Sequence, residues 1–212
     1  MLLGGTAMLG LPSTTEVERR LPKEAFYCNL TLDAKTREEF VRLIEKITVT
    51  NSVKPTTTAL ADGERVHEII LLDLELKGDE QPARAIEAIA WANSHMLLFH
   101  TQPGDMVYVL RSGLHASNTV DGIVLIGQTL DAAWDSICTQ VIFGDVDGTD
   151  VDGRIERAKQ RADLEAEIEK LDATCRAAKQ INRKNDLFYL LKEKQRKLEA
   201  LDQEWRNRFE DF

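Results

Sequence analysis

The chain has 212 residues, of which 43% are hydrophobic and 30% are charged, and its formal net charge is −9. This length accommodates one domain with a full core plus an appendage, and the acidic balance argues against a protein that coats nucleic acid non-specifically. No stretch approaches the roughly 18 apolar residues of a membrane span. The opening residues lack the features of a signal peptide, and Met8 is a candidate start of the biological chain. Three scattered cysteines fit a reducing cytosol, so the sequence predicts a cytoplasmic protein.

The first predicted elements are helical. Ser13 and Glu16 have the spacing of a capping box, which predicts a short helix that ends before Pro22. A second helix of about four turns is predicted after a cap at Asp33 or Thr36. Its apolar positions at helical spacing are Phe40, Leu43, Ile44 and Ile47. The β-branched stretch that follows favours extended backbone.

The stretch from Val66 to Lys77, VHEIILLDLELK, alternates with a period of two. Alternation of this length, rich in branched apolar residues, predicts a strand inside a sheet. One face is almost wholly apolar, and the other ends in Asp73, Glu75 and Lys77. The carboxyl end of this strand is therefore expected at an edge or a cleft.

Further elements complete the first domain. A helix with Pro82 in its first turn is predicted to bury Ile86, Ile89, Ala90 and Trp91. Strands over 95–101 and 106–111 flank a turn and predict a hairpin, and GIVLIG is a candidate short strand. Thr129 or Asp131 is expected to cap a helix that buries Trp134, Ile137, Cys138 and Val141. The order predicts an α+β domain over residues 1–144, with a mixed sheet covered by helices.

The C-terminal region has a different composition. Residues 145–152 form an acidic linker rich in Gly and Asp, and residues 153–212 show heptad spacing. The apolar stripe consists of Leu164, Ile168, Leu171, Cys175 and Ala178, followed by Leu187, Leu191, Lys194, Leu198, Leu201 and Trp205. The polar stretch 179–186 is the predicted reversal. The region is expected to form an antiparallel coiled-coil hairpin or, alternatively, one long helix that dimerises.

Asp73, Glu75 and Lys77 are the sharpest catalytic candidates. Restriction-endonuclease-like nucleases place Glu-x-Lys on one strand, with another acid nearby, to hold Mg²⁺ and polarise a water. Against this stands the solvated face of an amphipathic strand. No separate upstream acid is evident, so the sequence favours a protein without a metal, a cofactor or a catalytic site, and the Mg²⁺ nuclease stays as the alternative.

Arg176, Lys179, Arg183 and Lys184 collect at the predicted hairpin tip. Such a cluster is often only a solvated helix end. On an acidic protein it is also a candidate contact for an acidic partner or for nucleic acid.

Three stretches carry a family resemblance: MLGLPSTTEVERRLPKEAFY, VHEIILLDLELK and AKQINRKNDLFYLLKEKQRKLEAL. Together they resemble an uncharacterised bacterial domain-of-unknown-function family encoded beside DNA methyltransferases and helicases, in restriction-like or phage-defence loci. The resemblance carries no catalytic residues. It implies a cytoplasmic accessory or adaptor protein without enzymatic activity, which docks through its hairpin onto a methyltransferase or helicase. Direct contact of the hairpin tip with DNA is left open.

Overall fold

The computed structural model describes residues 8–209, with the side chains of residues 8, 27–29 and 204–209 outside that description. The chain divides into two compact units, with the boundary between Val151 and Asp152. The first unit is an α+β domain with a mixed sheet, and the second consists of two long helices packed together. The predicted fold class is confirmed.

The described residues of the first unit form a sheet whose spatial order follows the chain order. Its strands are β1 (Glu16–Leu21), β2 (Ile44–Val53), β3 (Ile69–Leu76), β4 (Met96–Gln102), β5 (Met106–Leu110) and β6 (Leu114–Ser117). The β3–β4 pair is parallel and the other neighbouring pairs are antiparallel. A parallel pair requires a crossover connection, and here a helix supplies it.

In the part of this unit that the structure describes, four α-helices accompany the sheet: α1 (Glu24–Asn29), α2 (Ala34–Arg42), α3 (Ala83–Trp91) and α4 (Leu130–Phe143). Phe40 of α2 and Ile86 of α3 pack in one cluster with Leu74 and Phe99 of the central strands, all four without solvent exposure. Leu71, which alternates with Leu74 along β3, is also buried. Both faces of the central strand are therefore covered, which explains its nearly continuous apolar run.

The predicted helix at Ser13 is wrong. Ser13–Thr15 is one 3₁₀ turn, in which the Thr15 hydroxyl donates to the Pro12 carbonyl at 2.7 Å. The next residues form β1, which pairs with β2 through Arg19 opposite Val49. Glu18 has a φ of 47°, and the register shifts between Glu16 and Arg19, so the strand carries a bulge.

The second helix is shorter than predicted. Asp33 caps it as expected, since its carboxylate accepts the Thr36 amide at 2.8 Å. The helix ends at Arg42, and Ile44 and Ile47 lie in β2, both fully buried. The β2–β3 register shifts between Ile44 and Lys46, and this irregularity allows two residues three positions apart to be buried in one strand.

Of the remaining predictions for the first unit, the last helix is confirmed, whereas the burial of Trp91 and the GIVLIG strand are wrong. The helix over 130–143 is capped by Thr129, whose hydroxyl accepts the Ala132 amide, and the four side chains predicted to be buried there are buried. Trp91, predicted to be buried, is 71% exposed. The GIVLIG segment is not a strand; β6 precedes it in the chain.

The second unit is an antiparallel hairpin of α5 (Val151–Ala177) and α6 (Ile181–Phe209). Arg161 and Asp202 pair at 2.8 Å near its open end, and the Cys175 thiol lies 3.6 Å from the Lys184 carbonyl near its turn. The chain reverses within Ala178–Gln180, so most of the predicted turn 179–186 is helical instead. The alternative of one long helix is not what this structure shows.

The predicted stripe forms the seam of the hairpin. Cys175 and Leu191 are buried, and the other members whose side chains are described are partly buried. Those members are Leu164, Ile168, Leu171, Ala178, Leu187, Lys194, Leu198 and Leu201; the side chain of Trp205 lies outside the described residues. Lys194 fits the seam because its ammonium pairs with Glu167 of α5 at 2.5 Å.

Candidate functional site

The catalytic candidates lie at the carboxyl end of β3, where the parallel strands β3 and β4 run side by side. Asp73 is opposite His100 in the register, and a carboxylate oxygen lies 2.8 Å from His100 Nδ1. The two side chains are 18% and 8% exposed. The other ring nitrogen of His100 is 3.6 Å from the exposed Asp105. Asp73 is thus engaged by an imidazole that stands beside it on the next strand.

The other two candidates do not join Asp73. Glu75 is exposed and lies between Lys46 of β2 and Gln102 of β4. Lys77 follows the strand, and its ammonium donates to the Val41 carbonyl at 2.9 Å and pairs with Glu45 at 3.7 Å. Asp73 and Lys77 therefore belong to separate contacts, and Glu75 is exposed beside neither of them.

The donor set does not fit Mg²⁺. A magnesium site needs oxygen ligands that converge at about 2.1 Å, but the β2 residues opposite Asp73 and Glu75 are Thr48 and Lys46. Within the described residues, no group of three His, Cys, Asp or Glu side chains is arranged to hold a metal ion. The contact between partly buried Asp73 and buried His100 instead satisfies the hydrogen bonding of two polar side chains on the sheet.

A second engaged carboxylate belongs to Asp131 in the first turn of α4. It accepts the backbone amides of Glu64, Arg65 and Val66 at 2.7, 3.2 and 2.8 Å. Partial burial acts to raise the pKa of Asp131, but the three amide hydrogen bonds outweigh it and hold that pKa below its usual value. A Cβ on Gly63 would lie 2.7 Å from this carboxylate, so the loop requires glycine there. The arrangement fastens the loop before β3 to α4.

A third polar cluster centres on Gln81, between β3 and α3. Its side-chain oxygen accepts the hydroxyls of Thr101 and Tyr108, each at 2.9 Å. Burial raises the pKa of Tyr108 to about 12, so the phenol stays protonated and donates. The cluster supports the β4–β5 turn.

The basic residues predicted at the hairpin tip are all exposed. Arg176 pairs with Asp172 at 2.5 Å, whereas Lys179, Arg183 and Lys184 form no ion pair with a described residue. Arg176 lies in α5 before the reversal, Lys179 lies within the reversal, and Arg183 and Lys184 follow it in α6. The structure thus brings the four predicted charges to one end of the second unit.

Sequence reasoning missed an apolar feature beside that tip. Ile181, Phe188, Tyr189 and Leu190 of α6 are exposed. In the run LFYLL, Leu187 and Leu191 occupy heptad positions of the seam, whereas the three apolar residues between them do not. This excess of apolar residues over the heptad pattern was the signal in the sequence for an exposed apolar surface. They matter because they fall outside the seam.

Comparison with known proteins identifies a family for the chain but indicates no activity. A family model described as a domain of unknown function, DUF4391, matches residues 9–120 and 111–198. No curated protein and no solved structure matches the chain. Among the described residues, none of the helices combines the length and apolar character needed to cross a bilayer.

Proposed function

Since this chain belongs to the DUF4391 family, whose description assigns no activity, we propose its function from the hairpin unit and the bacterial resemblance described above. The protein is a non-enzymatic accessory or adaptor subunit of a DNA-methylation, restriction-like or phage-defence system. It acts in the bacterial cytoplasm and docks through its hairpin onto a DNA methyltransferase or a helicase.

The observation that carries this proposal is the charge of the hairpin tip. Residues 176–184 contain four Lys and Arg and no Asp or Glu, in a chain whose net charge is −9. A basic end on an acidic molecule attracts an acidic surface or a phosphate backbone and orients the encounter. A helical hairpin is also a common partner-binding element.

The alternative, a Mg²⁺-dependent nuclease built on Asp73, Glu75 and Lys77, has less support. The strand alone does not provide converging ligands, because Asp73 is paired with His100 and Lys77 is directed to Val41 and Glu45. An adaptor needs no such convergence, so the observed geometry favours it.

The test begins with the full-length protein, tagged and purified from its native host. We expect a DNA methyltransferase or helicase to co-purify. The double charge reversal Lys179→Glu with Arg183→Glu should slow association with that partner, and with duplex DNA if the tip contacts it, and should flatten the salt dependence of binding.

The matched control is Lys159→Glu with Lys170→Glu, which makes the same charge change at two exposed positions of α5. It should bind normally. If the tip variant also binds normally at low and moderate salt while its fold is intact, the tip is an ordinary solvated helix end and the partner docks on another surface of the protein.

A further inference from the structure

The outward side of α6 carries apolar side chains that the hairpin itself does not use. Ile181 is 75% exposed and Tyr189 74%, and Phe188 is 48% exposed. Exposed apolar side chains are ordinary when single. Here they are clustered within three turns of one helix, and a cluster of this kind marks an interaction site.

Helical geometry places these residues away from the seam. Ile181, Phe188 and Lys192 are separated by seven and four residues, so they share one face, and Tyr189 adjoins it. Leu187 and Leu191 follow a different stripe, which faces α5. We call Ile181, Phe188, Tyr189 and Lys192 the outer face of α6.

The outer face has an ordered arrangement. The rings of Phe188 and Tyr189 meet edge to face with centroids 6.4 Å apart. The Lys192 ammonium lies 5.7 Å from the centroid of Phe188, within the range of a cation–π contact. Aromatic pairs of this kind carry a large share of binding energy when a partner buries them.

We propose that the outer face of α6 binds an acidic amphipathic helix of a partner protein, which would add a third helix alongside the hairpin. This inference rests on the proposed adaptor function and names the chemistry of its partner. The apolar residues at helical spacing match the stripe of a packed helix. The surrounding cations, Lys184, Lys192 and Arg196, match carboxylates on its flanks.

Two other occupants fit less well. Single-stranded nucleic acid would use the aromatic rings for stacking, but it has no use for the aliphatic Ile181, and Phe188 is already contacted by Tyr189 and Lys192. A second copy of the chain would bring the basic patch that includes Lys192 and Arg196 against an identical basic patch across a two-fold axis, and like charges oppose such a contact.

The test uses a displayed library of random peptides of helical length, panned on the full-length protein. We expect the enriched peptides to place apolar residues at i, i+3 or i+4 and i+7, with Asp and Glu between them. The triple variant Ile181→Ala, Phe188→Ala, Tyr189→Ala should weaken their binding by about thirty-fold or more, as loss of a hot spot does.

Alanine favours helix, so this variant is expected to keep α6 intact, and circular dichroism checks that. Leu190→Ala is the matched control, because it truncates an exposed apolar side chain on another side of the same helix; it should bind the peptides normally.

The proposal is overturned by a library without enrichment, by enriched peptides that lack acids, or by peptides that bind the triple variant equally well. Binding of a labelled thymidine oligonucleotide that is lost in the triple variant would also overturn it, in favour of nucleic acid.

The two proposals fail separately. A partner that co-purifies from the host with the triple variant as well as with the unmodified protein refutes the outer-face proposal and leaves the adaptor function standing. If no partner co-purifies with the unmodified protein, the adaptor function fails, and so does the inference that rests on it.

Discussion

The sheet unit and the hairpin unit bury their apolar side chains to different extents. Phe40, Ile47, Leu74 and Phe99 of the sheet unit have no solvent exposure. Along the hairpin seam most side chains remain partly exposed, because two helices alone cannot surround a stripe. The sheet unit therefore contains its own core, whereas the hairpin keeps apolar surface that a partner can cover.

The polar contacts of the sheet unit are also more buried than those of the hairpin. In the sheet unit the Asn51 amide donates to the Thr15 hydroxyl at 2.8 Å in a buried position. In the hairpin, Arg161–Asp202 and Lys194–Glu167 join the helices at the surface. Surface ion pairs contribute little to stability, roughly 0–1 kcal/mol each, so we expect the hairpin to open more readily than the sheet.

The largest expected effect is in the sheet core. Phe99→Ala removes a fully buried ring from the centre of β4 and should lower the free energy of unfolding of that unit by about 3–5 kcal/mol. Chemical denaturation measures it, with Val41→Ala as the control because Val41 is 53% exposed. An equal effect of both variants would contradict the contrast in burial.

Next is the hairpin seam. Leu171→Asp places a charge without a partner in the seam and should destabilise the hairpin by about 2–3 kcal/mol. Hydrogen exchange should then accelerate in α5 and α6 but not in the strands. Ala173→Asp, at an exposed position of the same helix, is the control. Unchanged helicity and unchanged partner binding in Leu171→Asp would show that the seam is assigned incorrectly.

A smaller effect is expected at Asp131. Asp131→Asn weakens the acceptor of three backbone amides and should cost about 1–3 kcal/mol at neutral pH. The folded pKa of this group lies below its unfolded value, so its stabilisation is present above the unfolded pKa of about 3.9 and is lost as the pH falls through the folded pKa. Denaturation measured from neutral to acidic pH should therefore show a shallower decline in the variant. An identical decline in both proteins would remove Asp131 as a source of acid sensitivity.

The smallest effect separates two neighbours on β3. Asp73→Asn weakens the contact with His100 and should cost about 1–2 kcal/mol, whereas Glu75→Ala alters an exposed side chain and should change stability by less than about 0.5 kcal/mol. Thermal melts of the two variants, with and without Mg²⁺, measure these changes in stability. Tight Mg²⁺ binding that disappears in Glu75→Ala, together with DNA cleavage, would promote the nuclease alternative.

Local patterns in the sequence predicted most of the elements. The alternation in VHEIILLDLELK located β3, and the heptad stripe located the seam, including the polar position Lys194. The caps at Asp33 and Thr129 followed from short-range hydrogen bonding. Each of these signals lies within a few residues of the element that it predicts.

The errors arose where distant residues decide the outcome. The capping-box spacing at Ser13 was overridden because the following residues pair with β2, about thirty residues away. Ile44 and Ile47 fit a helical stripe and a strand equally well, and the neighbouring strands chose the strand. In the candidate site, the His100 contact of Asp73 depends on the parallel register of β3 and β4, which no local pattern specifies.

The bulged strand β1 bears on how this molecule behaves at high concentration. Its outer side has no partner strand among the described residues, so it is an open edge on which the strands of neighbouring molecules could add. Four of its six residues are charged, and the positive φ of Glu18 breaks the regular row of hydrogen-bonding groups. An incoming strand would meet both signs of charge on an edge that it cannot match in register. The bulge and the mixed charges thus protect this edge of the sheet from edge-to-edge polymerisation.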